Sequence, residues 1–341
     1  MPALGDTWFF LVGVLLLAYA ILDGFDLGAG ILHPFVARTD DERRTVLRSI
    51  GPVWDGNEVW LLTAGGALFA AFPLVYATVF SGFYLALILL LAALIFRAVS
   101  LEFRGQVAGA GWRRAWDLAF FAGSLLPALL LGVAVGNVLR GLPLDADGLY
   151  RGGLLGLLTP FPLVVGLLVV AFAGAHGAAW LMLKTEGAVA ERAGRAAIVA
   201  WVALGALWLT ATAVARVAAP DRWDAFAAPI AWLAPAVVVV GLAAFPLLVR
   251  ARRALGALGA SALAMAGMIA TMGVALYPNL VPALDAPERS LTIERAASSD
   301  LTLGVMLWIA AVGVPIVLAY TAFVYWRFRG VAGPGESGYE H

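Results

Sequence analysis

The chain has 341 residues, of which 62% are hydrophobic and only 13% charged, whereas a soluble domain is about 45–50% apolar and about 25% charged. With a mean hydropathy of +0.92, this is the composition of a polytopic membrane protein. Its 22 basic side chains are offset by 22 acidic ones, which argues against a nucleic-acid partner. The absence of cysteine excludes a disulfide framework, a thiolate nucleophile and a thiolate metal site.

The first residues, MPALGDTW, lack the basic stretch and cleavage motif of a signal peptide, so the first apolar segment is expected to remain in the mature protein. A helix needs about 20 mainly apolar residues to cross a bilayer. Nine segments qualify, at 8–32, 51–72, 74–98, 117–139, 159–183, 197–217, 228–249, 257–277 and 302–326. The expected fold is therefore an all-α integral membrane domain spanning residues 1–341. The second and third segments divide at Phe72-Pro73, where proline removes a backbone donor. Nine crossings place Arg140, Arg151, Arg216, Arg222, Arg289 and Arg295 on one side and the other sixteen of the 22 Lys and Arg on the opposite side. The richer side is cytoplasmic by the positive-inside rule, which predicts an outer N-terminus and a cytoplasmic C-terminus. The prolines and charges of the longest outer segment, 278–300, suit an ordered external loop.

Ionisable groups entering a bilayer cost a few kcal/mol or more each and usually face a bundle interior, a cavity or an ion path. The first segment carries two in LDGFDLGAG, Asp23 and Asp26, which share a helical face at a spacing of three. Gly24 and Gly28 form a small-xxx-small pair suited to close helix approach, on a face roughly opposite the carboxylates. The competing reading has these aspartates capping arginines near the cytoplasmic end, with Asp26 nearer that end. The second segment begins GPVWDGNEVW and carries Asp55, Asn57 and Glu58. Acids in a first turn also complement the helix dipole, so a purely structural role stands beside a functional one. Trp54, Trp60 and Asn57 point to a wet, hydrogen-bonding cluster in which a carboxylate takes up protons. If the two segments meet at one level, all four acids share one cavity. At the third segment's end, Arg97, Glu102 and Arg104 straddle the boundary, where Arg97 snorkels or pairs with a buried carboxylate.

Histidine is scarce: His33, His176 and His341. A haem held by His33 and His176 is the minor reading, and no HExxH, GxSxG, P-loop or dinucleotide fingerprint is present. These absences point to the membrane partner of a redox subunit or to a transporter.

Several blocks then become specific. LDGFDLGAGILHPF at 22–35, ERRTVLRSIGPVWDGNEVWLLTAGGALFAAFP at 42–73 and YATVFSGFYLALILLLAALIFRAVSLEFR at 76–104 resemble subunit II of the cytochrome bd quinol oxidase family, including its cyanide-insensitive branch. So do AHGAAWLMLKTEG at 175–187, YPNLVPA at 277–283, SLTIERAASS at 290–299 and LAYTAFVYWRFRG at 318–330, while 188–276 matches in hydropathy alone. The resemblance implies two four-helix bundles plus a peripheral ninth helix, in the bacterial cytoplasmic membrane. It implies a partner, subunit I, that holds haems b and d and the quinol site. The complex would oxidise quinol, reduce dioxygen to water and build proton motive force without pumping. This chain would ligate no haem and no metal. It would help bring cytoplasmic protons to the oxygen-reducing haem, with Asp55 at the inlet and Asp23, Asp26, Asn57 and Glu58 as further relay candidates. A quinone or lipid bound in this subunit, and a small single-helix accessory subunit, are left open. The alternatives are a proton-coupled secondary transporter using the same four acids, for which broken helices and repeats would speak, and a scaffold whose carboxylates merely pair with arginines.

Overall fold

Proline and glycine punctuate the apolar chain into helices in a computed structural model that describes residues 4–332. Met1 to Ala3 and the tail that includes His341 lie outside the described residues. The helices are α1 (Leu4–Val36), α2 (Asp40–Ile50), α3 (Trp54–Ala71), α4 (Pro73–Gly82), α5 (Tyr84–Phe103), α6 (Ala110–Arg140), α7 (Pro160–Lys184), α8 (Gly187–Ala218), α9 (Leu233–Arg250), α10 (Ala254–Leu276), α11 (Ile293–Ala296) and α12 (Asp300–Arg327). Among the described residues, eight helices are long and apolar enough to cross a membrane: α1, α5, α6, α7, α8, α9 with its preceding turn, α10 and α12. The expected span 51–72 is α3, whose 18 residues open on Asp55, Asn57 and Glu58 and so fall short in apolarity.

Helix α3 does stop at Phe72, and Pro73 opens α4. The expected single helix over 74–98 is instead two, because the chain breaks again at Phe83. Gly82 there lies under the Tyr150 ring, so closely that a β-carbon would sit 2.8 Å from Tyr150. Most other helices run past their expected ends. α8 starts at Gly187, ten residues before the apolar stretch, because Glu191, Arg192 and Arg195 extend it beyond hydrocarbon.

Helix α7 is the most enclosed: 72% of its apolar window is buried, against 6% for α12. Its run AGAHGAA brings backbones together. A β-carbon on Gly28 would sit 1.9 Å from the Ala173 carbonyl oxygen, and one on Gly177 2.4 Å from the Gly28 carbonyl carbon. The glycine face of α1 thus meets α7, and the carboxylate face turns towards α3 and α5. Further close pairs are α5 with α6, α6 with α7, α7 with α8, and α9 with α10, while α12 touches α1 and α3 along one side.

The two ends differ. At one, the polar helix α2 is closed by a capping box between Thr39 and Glu42, which satisfies free backbone donors at its start. At the other, two antiparallel strands, β1 (Asn279–Val281) and β2 (Leu291–Thr292), cross the loop after α6. Leu142 N–H donates to the Pro282 carbonyl and Leu284 N–H to the Leu142 carbonyl, both at 2.9 Å. The segment 278–300 carries both strands and the short helix α11.

Candidate functional site

The carboxylates of α1 lie one helical turn apart and enter different networks. Both Asp23 and Arg97 are wholly buried, and two guanidinium nitrogens of Arg97 donate to the two Asp23 oxygens at 2.5 and 3.0 Å. Such fork-to-fork pairing is the strongest geometry open to an arginine and a carboxylate. The nitrogen at 3.0 Å also reaches Glu58 Oε1 at 3.0 Å, so α1, α3 and α5 are tied at one point. Arg97 therefore pairs with a buried carboxylate rather than snorkelling.

Asp26 is equally buried but faces no arginine directly. Its Oδ2 accepts from Asn57 Nδ2 at 2.7 Å, and its Oδ1 has no hydrogen-bond partner among the described residues. Asn57 also donates to the Leu22 carbonyl at 3.1 Å and accepts from the Tyr325 hydroxyl at 2.9 Å. The amide is thereby fixed with its nitrogen towards Asp26. One turn from Asp23, the Tyr19 side chain is buried as well. Glu58 keeps 25% of its side chain exposed. Asp55, one turn nearer the helix start, is exposed and makes no ion pair with another described residue.

The five predicted residues are thus brought together at the start of α3, in two hydrogen-bonded branches: Asp23 and Glu58 share Arg97, Asp26 and Asn57 form the second, and Asp55 stands outside both. Trp60 is not part of a wet cluster, since it packs on Leu15, Tyr19 and Ala64. Tyr325 was missed as a site residue; it lies 268 positions from Asn57, in a block singled out only by resemblance.

The two histidines among the described residues, His33 and His176, have different neighbours. His176 Nδ1 lies 2.7 Å from Ser261 Oγ, and Nε2 lies 2.9 Å from the Ile21 carbonyl. His33 is enclosed edge-on against Phe120, with Nε2 3.5 Å from Asp117, a carboxylate already engaged by Arg43 and Arg104. Those ion pairs belong to a second polar cluster at the α2 end. Asp117 accepts from Arg43 at 2.5 Å and from Arg104 at 2.6 Å, while Asp40 accepts from Arg104 at 2.8 Å, Arg113 at 2.7 Å and Arg44 at 3.1 Å. Beside it, Glu42 meets Arg192 at 2.6 Å. Hydrogen bonding to Arg192, with help from the Arg38 and Thr39 amides, lowers the Glu42 carboxyl to about 2.

These features define a helical integral membrane protein with a cluster of acids around one wholly buried arginine where α1, α3 and α5 meet. Residues 4–328 match the sequence profile described as cytochrome bd terminal oxidase subunit II. The chain is 41% identical, over 95% of its length and 93% of the relative's, to cytochrome bd-I ubiquinol oxidase subunit 2 of Escherichia coli strain K12. It is 34% identical, over 96% of its length and 97% of the relative's, to cytochrome bd ubiquinol oxidase subunit 2 of Bacillus subtilis strain 168. The fold matches a chain of the bd oxidase from Geobacillus thermodenitrificans with a TM-score of 0.74, at 19% identity, covering 95% of this chain and 98% of that one. The chain belongs to the cytochrome bd terminal oxidase subunit II family.

Proposed function

We propose that the chain serves a bd-type quinol oxidase of the bacterial cytoplasmic membrane as its haem-free second subunit. It steadies subunit I and carries cytoplasmic protons inward to where dioxygen is reduced. In this reading α3 is the ninth crossing, α1 to α6 and α7 to α10 form two bundles, and α12 runs along their side. The N-terminus lies outside, and the α2 end faces the cytoplasm. Arginine placement supports that orientation: Arg43, Arg104, Arg113 and Arg192 bond at the α2 end, whereas Arg289 and Arg295 bond within the loops at the hairpin end.

Dioxygen reduction consumes protons, and the haems of the partner subunit would supply that chemistry. This chain's residues move and hold protons. Asp55 collects a proton from water at the surface, and Glu58, one turn inward and partly exposed, receives it. Arg97 holds Asp23 and Glu58 in place and offsets their charge. Asp26 Oδ1, buried and without a hydrogen-bond partner, is the oxygen on which a proton can reside while Asn57 holds the other. That oxygen is the observation that carries the reading, since a carboxylate serving only as a strut would have both oxygens engaged.

The test is Asp55→Asn in the assembled oxidase. Oxygen consumption is expected to fall while haem content stays at the wild-type level. Wild-type turnover in that variant would remove Asp55 from the inlet.

A further inference from the structure

Helix α12 packs loosely along its length, with Leu303 as its one buried residue. Its last turns are nevertheless pinned. Lys184 of α7 donates to the Phe328 and Gly330 carbonyls, and the Ala332 N–H donates back to the Lys184 carbonyl at 2.9 Å. One turn before this anchor, the half-buried Tyr325 ring stands edge-on to Phe25 and to Trp180, which stack on each other at 3.9 Å. Anchor and rings together aim the Tyr325 hydroxyl at Asn57 Oδ1, to which it donates at 2.9 Å.

A side-chain amide can present either end to a carboxyl group, since it carries an NH2 donor and a carbonyl acceptor. With Tyr325 donating to Oδ1 and the Leu22 carbonyl accepting from Nδ2, Asn57 turns its nitrogen to Asp26 Oδ2. That nitrogen suits an unprotonated oxygen, so Oδ1 is left to take the proton. Without the hydroxyl, the same orientation would strand the Asn57 oxygen, and a buried polar atom without a partner is costly. Turning the amide over would then pair its oxygen with a proton on Asp26 Oδ2. We propose that Tyr325 is a positioning residue of the proton path: acting through Asn57, its hydroxyl keeps the Asp26 proton on Oδ1. The inference rests on the reading of Asp26 as a proton carrier and adds what selects the oxygen that carries it. The charged groups that act on Asp26 are Asp23 of α1, Glu58 of α3 and Arg97 of α5, while His176 of α7 is engaged by Ser261 and the Ile21 carbonyl. Tyr325→Phe leaves all of these in place.

Infrared difference spectra of the purified oxidase, recorded on reduction, test the assignment. The carboxyl C=O band of Asp26 is the one that Asp26→Asn removes. In the wild type the C=O oxygen is Oδ2, and the hydrogen bond from Asn57 lowers its stretch. In Tyr325→Phe the proton moves to Oδ2 and the C=O oxygen becomes the unpartnered Oδ1, so the band is expected at higher wavenumber. Turnover should fall roughly fivefold, one hydrogen bond's worth, with the KM for quinol unchanged and assembly checked by the haem spectrum. In an Asn57→Leu background, Tyr325→Phe should change turnover no further, because a residue acting only through Asn57 has nothing left to act on. An unshifted Asp26 band in Tyr325→Phe would overturn the positioning role and leave Asp26 as the carrier. A further loss on top of Asn57→Leu would also overturn it, by showing that Tyr325 acts by another route. A wild-type spectrum with no band that Asp26→Asn removes would overturn the carrier reading itself, and this inference with it.

Discussion

The two polar clusters of this protein are built from the same residue types and balance their charges in opposite ways. At the α2 end, Asp117 and Asp40 are met by four arginines, Arg43, Arg44, Arg104 and Arg113, and all four carboxylate oxygens are engaged. In the interior, Asp23 and Glu58 share Arg97, Asp26 is met by the neutral Asn57, and the other Asp26 oxygen has no hydrogen-bond partner among the described residues. The first arrangement is a clasp joining α2, the end of α5 and the start of α6. The second leaves a carboxylate whose burial is not repaid by full pairing, and such groups mark ion and proton paths. On the proposed function, charge balance, rather than the mere presence of buried acids, is what would separate strut from conduit.

Removing the interior cation should have the largest effect. Arg97→Leu leaves Asp23 buried without a counter-charge, and breaking a buried pair in this way costs about 3–5 kcal/mol. The expected result is loss of the assembled oxidase from membranes, read as the haem spectrum of a tagged purification. Assembly at wild-type yield would mean that the interior cluster is wetter than its geometry implies.

Asp26→Asn sharpens the comparison because it keeps shape and removes the titratable group. Turnover should fall about 10²-fold, the low end of what a positioned proton carrier contributes and equivalent to about 2.7 kcal/mol of barrier, with thermal stability near wild type. A large loss of stability with normal turnover in the surviving complex would reassign Asp26 to the clasp category. Asp117→Asn should do the reverse. It weakens ion pairs only partly screened from water, so a loss of about 1–3 kcal/mol is expected, below the fully buried case. Turnover per haem should be unchanged; a fall would show that the rim cluster also handles protons.

Much of this contrast was legible before the fold was known, for reasons that differ residue by residue. Asp23 and Asp26 stand out because nothing in an apolar span hides an acid, and Arg97 stands out likewise as a cation at the end of one. The Gly24 and Gly28 face was read correctly because helical period alone separates it from the carboxylates. Two elements escaped. Helix α2 is polar and was passed over by a search for apolar stretches, although Thr39 and Glu42 spell its capping box. The break at Phe83 has no proline, and it follows from Gly82 meeting Tyr150 of a distant loop. Tyr325 illustrates the wider limit: its hydroxyl reaches Asn57 across the whole chain, and periodicity carries no information about contacts of that separation. Asp117 was likewise invisible as a hub, since its two arginines, Arg43 and Arg104, come from two separate segments.

The smallest effect tests the clasp end at the ion pair between Glu42 and Arg192. Glu42 is held at about 2 by Arg192 and two backbone amides, whereas an unperturbed glutamate titrates near 4.3. A carboxyl lowered in the folded state stabilises the protein above its unfolded pKa, and that contribution is lost as pH falls towards the folded value. The loss should therefore fall between about pH 4 and pH 2, leaving neutral pH unaffected. Because both side chains are still partly exposed and screened by solvent, the pair's worth is about 1 kcal/mol at most. Melting curves of the oxidase in that window should show wild type losing stability more steeply than Glu42→Gln. At pH 7 the variant should melt slightly earlier, and the two should converge in acid. If the curves stay parallel across the window, α2 is held to α8 by packing, and Arg192 is retained for its bond to the Val36 carbonyl at 2.6 Å. In that case the clasp would consist of the Asp117 and Asp40 cluster alone.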